Sequence, residues 1–158
     1  MKVVESTRQN SMNTGRRGVL LYLVAGVLLG LLNAQSTWTW LSPRPQGNAL
    51  IAVHALDTNI VIAVGAASTI IRTIDGGRQW NVRHRVGGTA DYLADIAFGD
   101  SGIGITVGQN GKVLLTTDAG ETWSTRSAGT TSFLSALEHT GGHTWMATSY
   151  DGRFYRST

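Results

Sequence analysis

Beyond its first three dozen residues the chain is built of short apolar or alternating runs broken by turn residues, and no stretch of ten keeps a helical period. Leu50 to Leu56 is an apolar run of the kind expected for an inner, buried strand. Ile60 to Val64, Thr69 to Thr73 and Gln79 to Arg83 follow as three further strands. The same order returns as Tyr92 to Phe98, Ile103 to Val107, Lys112 to Thr116 and Thr122 to Arg126. A third set, Phe133 to Glu138, Thr144 to Ser149 and Arg153 to Ser157, has three members and lacks a fourth. Branched and aromatic residues dominate these runs, and Gly, Asn, Asp and Ser separate them, as strands and tight turns require. Ahead of the first set, Thr37-Trp38-Thr39-Trp40 alternates like an isolated strand, and Ser42 to Asn48 is a turn-rich connector.

The sets are copies of one another. Gly65 and Gly108, Asp75 and Asp118, and Trp80 and Trp123 are each 43 residues apart, and Gly152 falls 41 residues after Gly111. A fixed period of this size marks a repeat architecture, and four short strands per period is the blade of a β-propeller. The predicted fold is therefore all-β: a propeller segment over 37–158, with repeat units at about 49–83, 91–126 and 132–158, preceded by an N-terminal hydrophobic helix. Trp38 lies 42 residues before Trp80 and matches the outermost strand of a preceding unit. Counting that strand, the chain holds the content of about three blades, whereas closed propellers use about four to eight. Blades are stable only when neighbours cover their faces. The expectation is a fragment of a larger propeller, closed by remaining blades. The alternative is closure by a second copy, in which the strand around Trp38 completes the third unit of the other chain to give a six-bladed ring.

The most regular part of each unit is the turn before the fourth strand, Thr73-Ile74-Asp75-Gly76-Gly77-Arg78-Gln79-Trp80 and again Thr116-Thr117-Asp118-Ala119-Gly120-Glu121-Thr122-Trp123. An Asp carboxylate there can accept backbone N–H bonds, Gly tolerates positive φ, and Trp buries a large ring beside the turn. Asp75, Gly77 and Trp80, with Asp118, Gly120 and Trp123, are thus expected to be structural staples.

Composition changes the picture in one place. The 158 residues include no cysteine, which excludes a disulfide framework and a thiolate metal site. The net charge of +3 resides in residues 1–36, where Lys2, Arg8, Arg16 and Arg17 face Glu5 alone. The rest is balanced, so the globular part has no electrostatic footprint for a nucleic acid. After Arg16-Arg17 the run Gly18 to Leu32 is apolar and uncharged, and Ala34-Gln35-Ser36 offers small residues at a cleavage spacing. Residues 1–36 read as a signal peptide, or, if uncleaved, as a membrane anchor through 18–34, although the apolar core is shorter than the ~20 residues of a comfortable span. Gly15 to Leu20 partly resembles a twin-arginine export motif, without the Ser or Thr before the pair.

The two Asp turns resemble the Asp-box, or bacterial neuraminidase repeat. The wider pattern of Pro43 to Leu50, then Ala63-Val64-Gly65, then Thr69 to Thr73, is similar to the photosystem II stability and assembly factor family and its relatives in non-photosynthetic bacteria. That resemblance implies an exported, seven-bladed propeller that binds other proteins, such as photosystem II assembly intermediates, without chemistry or cofactor. It departs from the pattern at Ala66-Ala67-Ser68, where Gly usually precedes the third strand, and in the third unit, which has no Asp-box.

The residues bear on three further readings. Asp75 and Asp118 as a glycosidase pair would need carboxyls roughly 5 to 9 Å apart, yet equivalent positions in successive blades lie at separate outer turns. His54, His84, His139 and His143 show no metal-ligand spacing. Arginines are the better binding candidates: Arg72 and Arg156 occupy equivalent third-strand positions where the middle repeat has Leu115, and Arg83 and Arg85 flank His84. With Tyr92, Tyr150 or Tyr155 they supply parts of a sialidase site, in which arginines grip a substrate carboxylate; the alternative is that they are solvated strand ends. The functional expectation is an extracytoplasmic, non-catalytic interaction module in periplasm or thylakoid lumen. The alternatives are a fragment of a sialidase-like or other Asp-box glycosidase, and a surface propeller binding carbohydrate or protein.

The leader generates the first prediction. Cells expressing the tagged chain are expected to hold it outside the cytoplasm on fractionation, and full-length soluble protein in the cytoplasm would refute the export reading.

Overall fold

The computed structural model describes residues 38–39, 47–86 and 91–157. The leader expected over 1–36 lies outside them. The chain divides into two units, Met1–Trp40 and Leu41–Thr158, and every strand of the described residues belongs to the second.

Among the described residues, eleven strands form three antiparallel meanders. The first sheet is β1 (Leu50–Ala55), β2 (Val61–Gly65), β3 (Ile70–Thr73) and β4 (Asn81–His84) in that spatial order. The second is β5 (Leu93–Phe98), β6 (Gly104–Gly108), β7 (Lys112–Thr116) and β8 (Ser124–Ser127). The third is β9 (Leu134–Gly141), β10 (Thr144–Ser149) and β11 (Phe154–Ser157). Each strand expected in these sheets is present. β4 and β8 begin two residues later than the apolar pattern suggests, because Trp80 and Trp123 are held inside the preceding turn by their indole N–H groups. β9 runs on to Gly141, so that the tight turn falls at Gly142-His143. Of the leading strand expected over 37–40 only Trp38 and Thr39 are described; neither is in a strand, and Trp38 is fully exposed.

The sheets bury their faces against one another. Ile62, Val64 and Ile70 of the first sheet pack on Leu93, Ile96, Phe98 and Leu114 of the second. The opposite face of the second sheet gives Ala97, Ile105 and Val107, which pack on Leu134, Leu137, Trp145 and Ala147 of the third. The alternation along β5 to β7 is therefore apolar on both faces, and each fully buried Leu, Ile or Phe contributes about 1.5–3 kcal/mol relative to exposure. A central position between two sheets explains why these strands read as continuous apolar runs.

Turn chemistry fixes how the strands are joined. Ala66–Thr69 and Gln109–Lys112 close β2–β3 and β6–β7 with an N–H bond from the fourth residue to the first carbonyl. Both central residues have positive φ: 55° and 50° for Ala67 and Ser68, 57° and 65° for Asn110 and Gly111. These are type I′ turns, whose twist matches the flanking strands and which favour Asn-Gly. The second unit has that pair, and the first has Ala-Ser, at a cost of about 1–2 kcal/mol for a left-handed L-residue. Gly111 is further restricted because a Cβ there would stand 1.8 Å from the Thr130 carbonyl oxygen.

Opposite shifts are predicted at these two turns. Ala67→Asn is expected to stabilise the protein by about 0.5–1 kcal/mol, and Gly111→Ala to destabilise it by about 2–3 kcal/mol through backbone strain and overpacking. Urea denaturation of the two variants beside the parent checks both signs.

Candidate functional site

A meander places its first and third turns at one end and its second turn, with the connector to the next sheet, at the other. The Asp turns belong to the first end. They touch the neighbouring hairpins there: the Gly76 N–H donates to the Asn59 carbonyl at 3.0 Å, and that of Ala119 to Gly102 at 2.9 Å.

The two Asp turns have the same internal bonding. The Thr73 hydroxyl donates to Asp75 Oδ1 at 2.7 Å and accepts from the Gly77 N–H at 3.0 Å, while Asp75 Oδ1 accepts from the Gln79 N–H at 2.9 Å. In the second copy Thr116 donates to Asp118 at 2.7 Å and accepts from Gly120 at 3.0 Å, and Asp118 accepts from the Thr122 N–H at 2.9 Å. The Thr122 hydroxyl adds a bond that the first turn lacks, to Asp118 Oδ2 at 2.6 Å. Trp80 and Trp123 each donate their indole N–H to the turn glycine's carbonyl, Gly77 or Gly120, at 3.1 Å. The Trp123 ring then meets Phe98 edge-on at 6.2 Å, which ties the turn to the core between sheets. Thr122, through its hydroxyl and its N–H, pulls the Asp118 carboxyl down to about 2. The Gln79 N–H and the Thr73 hydroxyl lower that of Asp75.

A related arrangement that the sequence reading did not single out occurs at the other end of the third sheet. Ser149 donates to Asp151, whose second oxygen accepts from Ser132 at 2.7 Å. The signal was the Ser-Tyr-Asp-Gly order, which repeats the Thr-x-Asp pattern at a different turn.

The four candidate arginines separate into two pairs. Arg72, 8% exposed, reaches across to the next sheet, donating Nη1 to Glu121 Oε2 and Nε to the Ala119 carbonyl, both at 2.9 Å. Arg83 meets the other Glu121 oxygen at 2.8 Å. Glu121 therefore holds both, and Arg72 is a clamp between sheets, neither a solvated strand end nor a free anion receptor. Arg85 and Arg156 are exposed. Elsewhere between the first and second sheets, Lys112 Nζ donates to Ser68 and pairs with Asp91. Between the second and third, Asp95 Oδ2 accepts the Leu137 N–H at 2.8 Å. Two histidines serve as packing rings, His54 against Phe98 at 5.2 Å and His139 against Trp145 at 4.5 Å. Burial lowers the pKa of His54, which favours its neutral form. Among the described residues no three metal-capable side chains converge.

Sheets of antiparallel meanders stacked face to face with repeated staple turns define a β-propeller fold, of which the described residues form three sheets. Solved structures of the same fold include YCF48 bound to D1 peptide, with a TM-score of 0.64 and 23% identity, covering 73% of this chain and 40% of that one. YCF48 from Cyanidioschyzon merolae superposes with a TM-score of 0.65 at 20% identity over 77% of this chain and 40% of that chain. The chain thus spans about 40% of the length of these proteins, and the likeness is one of fold. No family model and no curated protein sequence matches the chain.

The Asp118 geometry predicts acid sensitivity. A carboxylate whose folded value lies near 2, below its ordinary 3.8, stabilises the fold above pH 4 and loses that contribution as the pH falls toward 2. Asp118→Ala is expected to lower stability at neutral pH by about 1–2 kcal/mol and to reduce the slope of stability against pH between about 4 and 2. Thermal melts of parent and variant across that range are the check.

Proposed function

We propose that the chain is an exported, non-catalytic propeller module that binds a segment of a protein partner during assembly of a membrane complex, in the manner implied by its resemblance to photosystem II stability and assembly factors. The observation that carries this reading is the shared fold with YCF48, one structure of which holds a D1 peptide. Action in the periplasm or thylakoid lumen follows from reading residues 1–36 as a leader. The chemistry of the Asp turns supports binding over hydrolysis. Asp75 and Asp118 are hydrogen-bond acceptors with lowered pKa values, whereas a glycosidase acid must hold its proton. Arg72, needed for a sialidase reading, is committed to Glu121.

The binding surface is best sought at the connector end of the sheets. There Arg85, Tyr92 and Tyr150 are exposed, and the Tyr150 ring stacks on Phe133 at 4.9 Å with its outer face open to solvent. Arginine and tyrosine are the residues enriched where proteins dock.

Fluorescence anisotropy with a labelled D1 peptide tests the proposal. Saturable binding with a Kd of about 1–100 μM is expected, weakened about tenfold by Arg85→Ala or Tyr150→Ala without a change in melting temperature. Absence of binding up to millimolar chain, or binding that neither variant affects, refutes it.

A further inference from the structure

Asn110-Gly111 is the only Asn-Gly pair in the sequence. In such a pair the glycine has no side chain to hinder its amide nitrogen from attacking the asparagine Cγ. A bond from the Gly111 nitrogen to Cγ forms, the Cγ–Nδ2 bond breaks, and ammonia leaves with the amide proton, giving a cyclic imide. Water then opens the ring at either carbonyl to leave aspartate or its β-linked isomer, isoaspartate. The reaction needs water and no other reagent.

The fold holds this chemistry off. Asn110 has φ 57° and ψ 33° in its type I′ turn, and at that ψ the Gly111 nitrogen lies on the far side of the Cα–C bond from the asparagine side chain. Ring closure requires the peptide between them to rotate. That peptide is pinned toward the third sheet, where Gly111 is buried and its N–H donates to the Ser132 carbonyl at 3.0 Å. The Asn110 side chain is exposed and points the other way, Nδ2 donating to Asp91 Oδ1 at 3.1 Å. Asp91 in turn pairs with Lys112, the clamp on the first junction.

We propose that Asn110 is a self-modification site gated by the second junction: it stays intact while the segment Thr130 to Ser132 covers Gly111, and it converts to aspartate or isoaspartate once that junction opens. Either product opposes reclosure. Aspartate at position 110 puts a carboxylate where an amide had donated to Asp91, which Lys112 and then Asn110 itself hold below the ordinary carboxylate range, and like charges sharing a site repel. Isoaspartate lengthens the main chain by one carbon beside Gly111, where even a Cβ would stand 1.8 Å from the Thr130 carbonyl oxygen. One residue thus touches both junctions, and a transient opening becomes a covalent record.

Peptide mapping of the full chain after incubation at mildly alkaline pH tests this, with the mass gain at Asn110 and labelling by an isoaspartyl methyltransferase as readouts. Conversion in native buffer is expected to be at least about tenfold slower than in urea, because it requires local opening. Leu134→Ala, which thins the core of the second junction, is expected to raise the native rate more than Ile62→Ala, which thins the first. Circular dichroism establishes that both are folded. Asn110→Asp, a stand-in for one product, is expected to lower the melting temperature by about 2–4 °C at neutral pH. Equal rates in buffer and urea overturn the gating, and so does equal acceleration by the two core variants, which assigns it to global unfolding. An Asn110→Asp chain that melts with the parent overturns the opposition to reclosure. No ligand enters these measurements, so their outcome is separate from that of the peptide-binding reading.

Discussion

A sheet that is apolar on both faces is stable only between two others, and the middle sheet of this chain shows what that demands. Leu93, Phe98 and Leu114 point one way and Ala97, Ile105 and Val107 the other, with each set sealed by a different neighbour. Face-to-face burial supplies most of the stabilisation, yet it is non-directional and would tolerate sliding of one sheet over the next. The polar bonds at the sheet ends remove that freedom. Arg72 reaching Ala119 and Glu121 fixes one end of the first junction, and Lys112 with Ser68 and Asp91 fixes the other. Asp95 does the same for the second junction by accepting the Leu137 N–H of β9.

The Asp turns connect the two kinds of constraint. The threonine hydroxyl and the aspartate close the turn internally, leaving the glycine carbonyl free to receive the indole N–H. That bond orients the Trp ring. In the second unit the ring lies on Phe98 inside the inter-sheet core, and Gly120 sits where a Cβ would be 3.0 Å from Ile62 of the first sheet. One local hydrogen-bond pattern therefore sets a turn, a core aromatic and a close approach between sheets, which is why Thr, Asp, Gly and Trp recur together at the 43-residue spacing.

Strand order was legible in the sequence because its cause is local: alternation, branched residues and turn pairs all act within a few positions. The late starts of β4 and β8 were less legible, since a tryptophan that looks like a strand residue is captured by a carbonyl three residues back. Arg72 shows where sequence reading stops. Its equivalence to Arg156 was visible, but its partner Glu121 lies in the next unit, 49 positions on, and only the stacking of sheets brings them together. Arg85 and Tyr150 were visible as candidates, whereas their sharing the connector end follows from the direction of each strand in its meander.

Backbone repetition and side-chain variation have different physical origins here. Type I′ turns and Asp turns fix the register of the first two sheets, and the Ser149–Arg153 turn that of β10 and β11, so positions 72, 115 and 156 are equivalent whatever residue each bears. The register is therefore shared while the junction chemistry is free to differ, ionic at the first junction and apolar at the second. Exchanging the second and third sheets would leave Arg72 without Glu121, a buried charge with no counter-ion, and such a loss costs several kcal/mol when the partner is removed. Sheets built on one backbone plan thus stack in one order, because each junction recognises its own neighbour through the one position the turns hold constant.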